Sequence, residues 1–97
     1  MKGQINIAIQ ALPRSASKHA YDIVDKAIEV IQQSGLKYQV CPFETVIEGE
    51  YNQVIQLIEK IQDACYAAGA DELICNLKIQ TSIKENVTIE DKMHKYK

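Results

Sequence analysis

Between Gln4 and Ala11 apolar and polar residues alternate without a break, placing Ile5, Ile7 and Ile9 on one face and Asn6, Ala8 and Gln10 on the other. After Leu12-Pro13-Arg14-Ser15 the period lengthens: Ala20, Tyr21, Val24, Ala27, Ile28 and Ile31 recur at helical spacing, opposite Asp22, Lys26, Glu29 and Gln33. Ser15 or Ser17 is the expected cap, and Gly35 the expected left-handed stop. The switch from period two to period 3.6 then repeats. Leu36 to Cys41 reads as a strand, Pro42 as a bend, and Phe43 to Glu48 as a strand closed by Gly49. Tyr51, Val54, Ile55, Ile58, Ile61, Cys65 and Ala68 mark a second helix ending at Gly69, and Glu72 to Thr81 a fourth strand.

The order βαββαβ constrains the fold strongly. Two right-handed βαβ crossovers joined by a hairpin give a ferredoxin-like α+β domain, an antiparallel sheet with both helices on one face. Ninety-seven residues form one domain, 1–97, that buries roughly two-thirds of the surface of its unfolded chain. Thr88-Ile89-Glu90-Asp91 reads as the capped start of an extra C-terminal helix of about nine residues, with Lys92, Lys95 and Lys97 near its end and a stripe of Ile89, Met93 and Tyr96. So short a helix must dock, on its own domain or on a neighbouring subunit.

Composition narrows the function. A net charge of −2 and a pI near 5.6 argue against nucleic acid as a partner. Met1-Lys2-Gly3 leads directly into the first strand with no long apolar run, so neither signal peptide nor membrane span is expected and the location expected is cytoplasmic. Cys41, Cys65 and Cys75 are odd in number and widely spaced, as befits small buried hydrophobes in a reducing compartment. His19 and His94 lie far apart, no nucleophile–base grouping is evident, and the glycines form no phosphate loop. No metal, no cofactor and no enzymatic activity is expected.

What remains is the sheet face that the helices leave open. Strand phase places Asn6, Ala8, Gln10, Gln39, Asn76, Lys78 and Gln80 there, with Glu44, Val46 and Glu48 from the third strand, while Phe43, Thr45 and Ile47 turn to the helices. This surface is short in long charged side chains and rich in amides, which suits packing against a second sheet with a polar ligand between them. A separate feature is Arg14, the only arginine, which with Ser15, Ser17 and Lys18 precedes a helix N-terminus and forms a candidate anion site.

With these elements in place, "SGLKYQV" (Ser34 to Val40), "ETVIEGE" (Glu44 to Glu50) and "TIEDKMHKY" (Thr88 to Tyr96) resemble the thiamine-binding family of small ferredoxin-like proteins over nearly the whole chain. The resemblance implies a non-enzymatic homo-oligomer, dimers that commonly pair into tetramers, binding thiamine or its pyrimidine moiety near subunit contacts. Thr45, Glu48 and Gly49 match residue by residue. The fourth strand departs from the pattern: Lys78-Ile79-Gln80-Thr81-Ser82 lacks the acid and the arginine of many relatives. Thiamine joins a permanently cationic thiazolium to an aminopyrimidine edge, so a site needs a carboxylate, amides and an apolar wall. Glu44 or Glu48, Asn6, Gln10, Asn76 and Val46 are the candidates to supply them, with Thr45 and Lys78 beside them. The alternatives are a phosphate-dependent enzyme using Arg14 and a purely structural or regulatory oligomer.

Overall fold

The computed structural model describes residues 1 and 3–96. Strands β1 (Gln4–Arg14), β2 (Lys37–Val40), β3 (Thr45–Glu50) and β4 (Glu72–Gln80) form one antiparallel sheet in the order β2-β3-β1-β4. Helices α1 (Ala20–Gln33) and α2 (Tyr51–Ala67) are the two crossovers, and α3 (Ile89–Met93) runs into a 3₁₀ turn over His94–Tyr96. This is the ferredoxin-like α+β fold expected from the period switches.

The core lies between the sheet and the two long helices. Ile5, Ile7, Ile9 and Ile47 from the sheet meet Ile23, Ala27 and Ile31 of α1 and Val54, Leu57, Ile58, Ile61 and Cys65 of α2 in one cluster. The buried stripes keep Ala27, Ile31, Val54, Ile58, Ile61 and Cys65 as read in the sequence, but Ile23 and Leu57 are also inside, whereas Tyr21, Tyr51 and Ile55 are exposed. Gly35 takes the left-handed conformation that ends α1, at φ 80°. Gly49 lies inside β3 rather than closing it, and a Cβ there would meet Leu36 and Val54 side chains at 3.2–3.3 Å. Its bareness lets α2 pack close to the strand.

Three expectations about local structure are corrected. First, β1 runs on through Pro13 to Arg14, pairing Pro13 with Leu73 of β4. Beyond Ile9 it has no β3 neighbour, so its backbone there is paired on one side only, where strands tolerate proline. Second, Phe43 is not in the core but 82% exposed, in the turn between β2 and β3. Third, neither Ser15 nor Ser17 caps α1. The cap is His19, whose Nδ1 accepts from the Tyr21 N–H at 3.2 Å, while Ser15 Oγ donates to the Gly69 carbonyl at 2.7 Å.

The C-terminal segment docks on its own domain, across one end of the open sheet face. The Val87 N–H donates to the Gln4 carbonyl at 3.0 Å and the Ile89 N–H to Glu48 Oε1 at 2.7 Å, burying both Val87 and Ile89. Lys92 Nζ reaches Gln80 Oε1 at 2.9 Å. The helix is five residues long, not nine, and Tyr96 is exposed. Lys97, expected as a cation at the helix end, lies outside the described residues.

Candidate functional site

The sheet ends unevenly. β3 stops at Thr45, opposite Ile9, whereas β1 and β4 continue together as far as Arg14 and Glu72. The step left beside β1 is roofed by α1 and flanked by the turn that joins β2 to β3, and it encloses a cleft of about 500 Å³. Its floor is core: Ile9, Ala27, Ile31 and Ile61. Gln10, Glu44 and the buried Thr45 are among the residues that line it, and α1 adds Asp25 and Tyr21. A backbone hydrogen bond from the Cys41 N–H to the Glu44 carbonyl, 2.9 Å, closes the turn that carries Phe43 to the rim. Tyr21 (75% exposed) and Phe43 (82% exposed) therefore line the same cleft from different elements.

Beside the cleft, on the open face, two cross-strand contacts tie the remaining candidates to it. Asn76 Nδ2 donates to Gln10 Oε1 at 3.2 Å, and Lys78 Nζ lies 3.4 Å from Glu44 Oε1. Val46 lies between Ala8 and Gln39 in the neighbouring row. The structure thus gathers Gln10, Glu44, Thr45, Val46, Asn76 and Lys78 at one end of the sheet.

Asn6 and Glu48 are elsewhere. They face one another across β1 and β3 at the other end, beneath the C-terminal segment. Asn6 is 3% exposed, its Nδ2 donating to the Ile5 and Val87 carbonyls at 3.1 and 3.0 Å, and Glu48 holds the Ile89 N–H. Both therefore hold the C-terminal segment. Asn6 Oδ1 has no partner among the described residues.

Arg14, Ser15 and Lys18 line a separate depression of about 520 Å³, together with Asp71 and Glu72. The backbone donors there are already engaged: Ala16 N–H with Asp71 Oδ2 at 2.8 Å, Ser17 and Lys18 N–H with Ser15 Oγ at 3.3 and 3.0 Å. An incoming anion meets two acids and occupied N–H groups, which weighs against a phosphate site. Another depression, about 530 Å³ between α1 and α2, is lined by Gln33, Gln53, Gln56 and Lys60 and has no carboxylate for a cation.

Thiol chemistry is not favoured at the core cysteines. Burial pushes the Cys65 thiol up, the neighbouring Cys75 adding to it, and burial likewise raises Cys75, so both remain protonated at neutral pH. Among the described residues no group of three or more His, Cys, Asp or Glu gathers to hold a metal ion, and no helix is long and apolar enough to cross a membrane.

Fold and cleft define a small α+β domain with an acidic, aromatic-rimmed pocket at the step in its sheet. The chain belongs to the thiamine-binding protein family, whose model matches residues 7–97. It is 36% identical over 92 residues to a UPF0045 protein of Clostridium perfringens, covering 95% of this chain and 96% of that one. It is 32% identical over 80 residues to the UPF0045 protein YqgV of Bacillus subtilis, covering 81% and 76%. Among solved structures, a domain of unknown function, DUF77, from Bacillus cereus superposes with a TM-score of 0.94 at 40% identity, covering 98% of this chain and 91% of that one. A Thermotoga maritima protein described as a "putative thiamine biosynthesis/salvage protein" gives 0.87 at 26% identity, covering 97% and 99%.

Proposed function

We propose that this protein is a non-enzymatic, cytoplasmic binder of thiamine or its pyrimidine moiety, working as a homo-oligomer, and that the ligand occupies the cleft between α1 and the β2–β3 turn. One observation carries the reading: Asp25, Thr45 and the exposed aromatics Tyr21 and Phe43 line one cleft over an apolar floor, and Glu44 and Gln10, whose side chains engage Lys78 and Asn76 on the open face, border it. Each feature answers a part of the ligand. A fixed thiazolium charge is attracted by carboxylates and by aromatic faces. The aminopyrimidine edge needs both donors and acceptors, which Gln10, Thr45 and the Tyr21 hydroxyl supply. A volume of about 500 Å³ is in the range of small-molecule sites. The family to which the chain belongs, described as thiamine-binding, supports the same ligand and a binding rather than a catalytic role.

Titration calorimetry with thiamine, its phosphates, hydroxymethylpyrimidine and inorganic phosphate tests this. Saturable heat with thiamine, reduced at least severalfold by Phe43→Ala, is expected; flat traces for every thiamine compound with folded protein would overturn it. Phe43 is suited to this test because, at 82% exposure, its removal leaves the core intact.

The oligomer is supported by what the C-terminal segment does not cover. Gln10, Val46, Asn76 and the exposed Leu12 and Ile74 remain uncovered at the cleft end of the sheet face, a mixed apolar and amide surface suited to a second copy. Sedimentation equilibrium is expected to report a dimer or tetramer across micromolar concentrations. A single species of 10.9 kDa would remove the assembly and leave the cleft.

A further inference from the structure

The core runs out before the end of β4. Leu77 and Ile79 lie opposite the buried Ile9 and Ile7 of β1 and share their helix-side phase, yet they are 41% and 47% exposed, whereas Leu73 and Cys75 in the same phase pack against the core. The nearest cover is α2, the crossover that ends in β4, and its near flank is apolar too. Gln53, Gln56, Leu57 and Lys60 face α1, so helical spacing turns Tyr51, Ile55 and Tyr66, all exposed, toward the β4 side. Beside this strip the strand itself is unpaired: β4 is the last in the sheet, and among the described residues no backbone group bonds to its outer edge. The opposite edge, β2, is only four residues long and begins at a lysine. β4 is nine residues long, without proline or glycine, and Lys78 is its one charge after Glu72. A long apolar edge with so little to blunt it pairs with another strand.

We infer that the occupant is a second copy of this chain: two β4 strands pair antiparallel about a two-fold axis beside Cys75, joining the two four-stranded sheets into one, with the α2 flanks meeting above the seam. This goes beyond the oligomer proposed above, whose contact is the open sheet face, and it uses no part of the ligand reading. A two-fold axis perpendicular to the sheet keeps the helices of both copies on one side, so residues opposite one another share a face. Charge then fixes the register. Glu72 and Lys78 both lie on the open face, equally far from Cys75, and only pairing centred on Cys75 sets each Glu72 opposite Lys78 of the other copy. The same register sets Leu73 opposite Leu77. It also stops short of Gln80, where Lys92 of the C-terminal segment is bonded. Both charges are available: Glu72 makes no ion pair among the described residues, and Lys78, its side chain 79% exposed, makes one contact, with Glu44 at 3.4 Å.

The test combines sedimentation equilibrium at low ionic strength with amide hydrogen exchange on the full chain, as wild type, Glu72→Lys, Lys78→Glu and the double exchange. Both side chains are exposed, so the core is untouched, and thermal melting verifies the fold of each variant. The two residues lie about 20 Å apart along the extended strand and cannot meet within one chain. Each single reversal is expected to weaken association about tenfold or more, and the double exchange to restore it to within a few fold of the wild type. In the wild type the β4 amides that point away from β1 are expected to exchange as slowly as those that face it. A double exchange no better than the single reversals, or outward amides that exchange fast at concentrations where the wild type is an oligomer, overturns the inference and leaves the open-face contact standing. A monomeric wild type with fast outward amides removes both contacts, and the ligand reading of the cleft is untouched.

Discussion

Glu44→Gln is expected to weaken thiamine binding about tenfold or more while leaving the fold and its melting temperature nearly unchanged. The substitution keeps the shape and one acceptor oxygen but removes the charge that faces a permanent cation. The loss is large because Glu44, with a side chain only 31% exposed, is partly screened from the water that weakens most surface ion pairs. The fold is expected to survive because the Lys78 contact that disappears is a surface pair, worth about 0–1 kcal/mol. Calorimetry and thermal melting on the same sample check both halves. The neutral pyrimidine fragment is the internal control, and its affinity should fall much less.

Glu48→Ala is expected to do the opposite: lower stability and leave the binding of thiamine little changed. Glu48 Oε1 accepts from the Ile89 N–H at 2.7 Å and so fixes the start of α3 on the sheet. Thr88 Oγ1 caps that helix separately, through the Asp91 N–H at 3.1 Å, but does not reach the sheet. Removing a hydrogen bond to a charged group costs about 1.5–3 kcal/mol. For a domain near one hundred residues that lowers the melting temperature on the order of ten degrees. The same variant should expose Val87 and Ile89, now 6% and 7% exposed, and their amides should exchange faster with deuterium. Unchanged melting together with lost thiamine binding would move Glu48 from anchor to ligand contact.

The contrast between these two acids shows how far the sequence could be read. Strand phase places Glu44 and Glu48 on the same face, and both occupy that face in the structure. What separates them is not local: a segment 41 residues further along lands on Glu48 and Asn6, and Glu44 is left to pair with Lys78 at the uncovered end. No periodicity encodes that landing, although the unsupported stripe of α3 required a dock somewhere. The element order, the β2–β3 hairpin and Gly35 follow from local physics and were legible.

The rim of the cleft was harder to see. Phe43 reads as a core residue because it shares the strand phase of Thr45 and Ile47, and its exposure depends on β3 starting two residues later. Tyr21 fell on an apolar stripe by spacing alone, yet the buried stripe of α1 runs through Ile23. Asp25 reads as one more charge on a solvated helix face. These three come to line one cleft with Glu44 only through the step in the sheet, and the step exists because β1 continues through Pro13, a residue that argues against a strand when the sequence is read by itself. The available signal is that Ala11 and Leu12, after Gln10, are still suited to pairing with β4.

The central claim is that the cleft, and not the covered end of the sheet face, receives the ligand. Amide chemical-shift mapping during a titration of the isotopically labelled wild type with thiamine tests it most directly. The largest saturable shifts are expected at Tyr21, Asp25, Phe43, Glu44 and Thr45, with smaller shifts at Gln10 and Lys78 beside them. Shifts concentrated instead on Asn6, Glu48 and Val87 to Ile89, with the α1 and turn amides unmoved at saturation, would contradict the account.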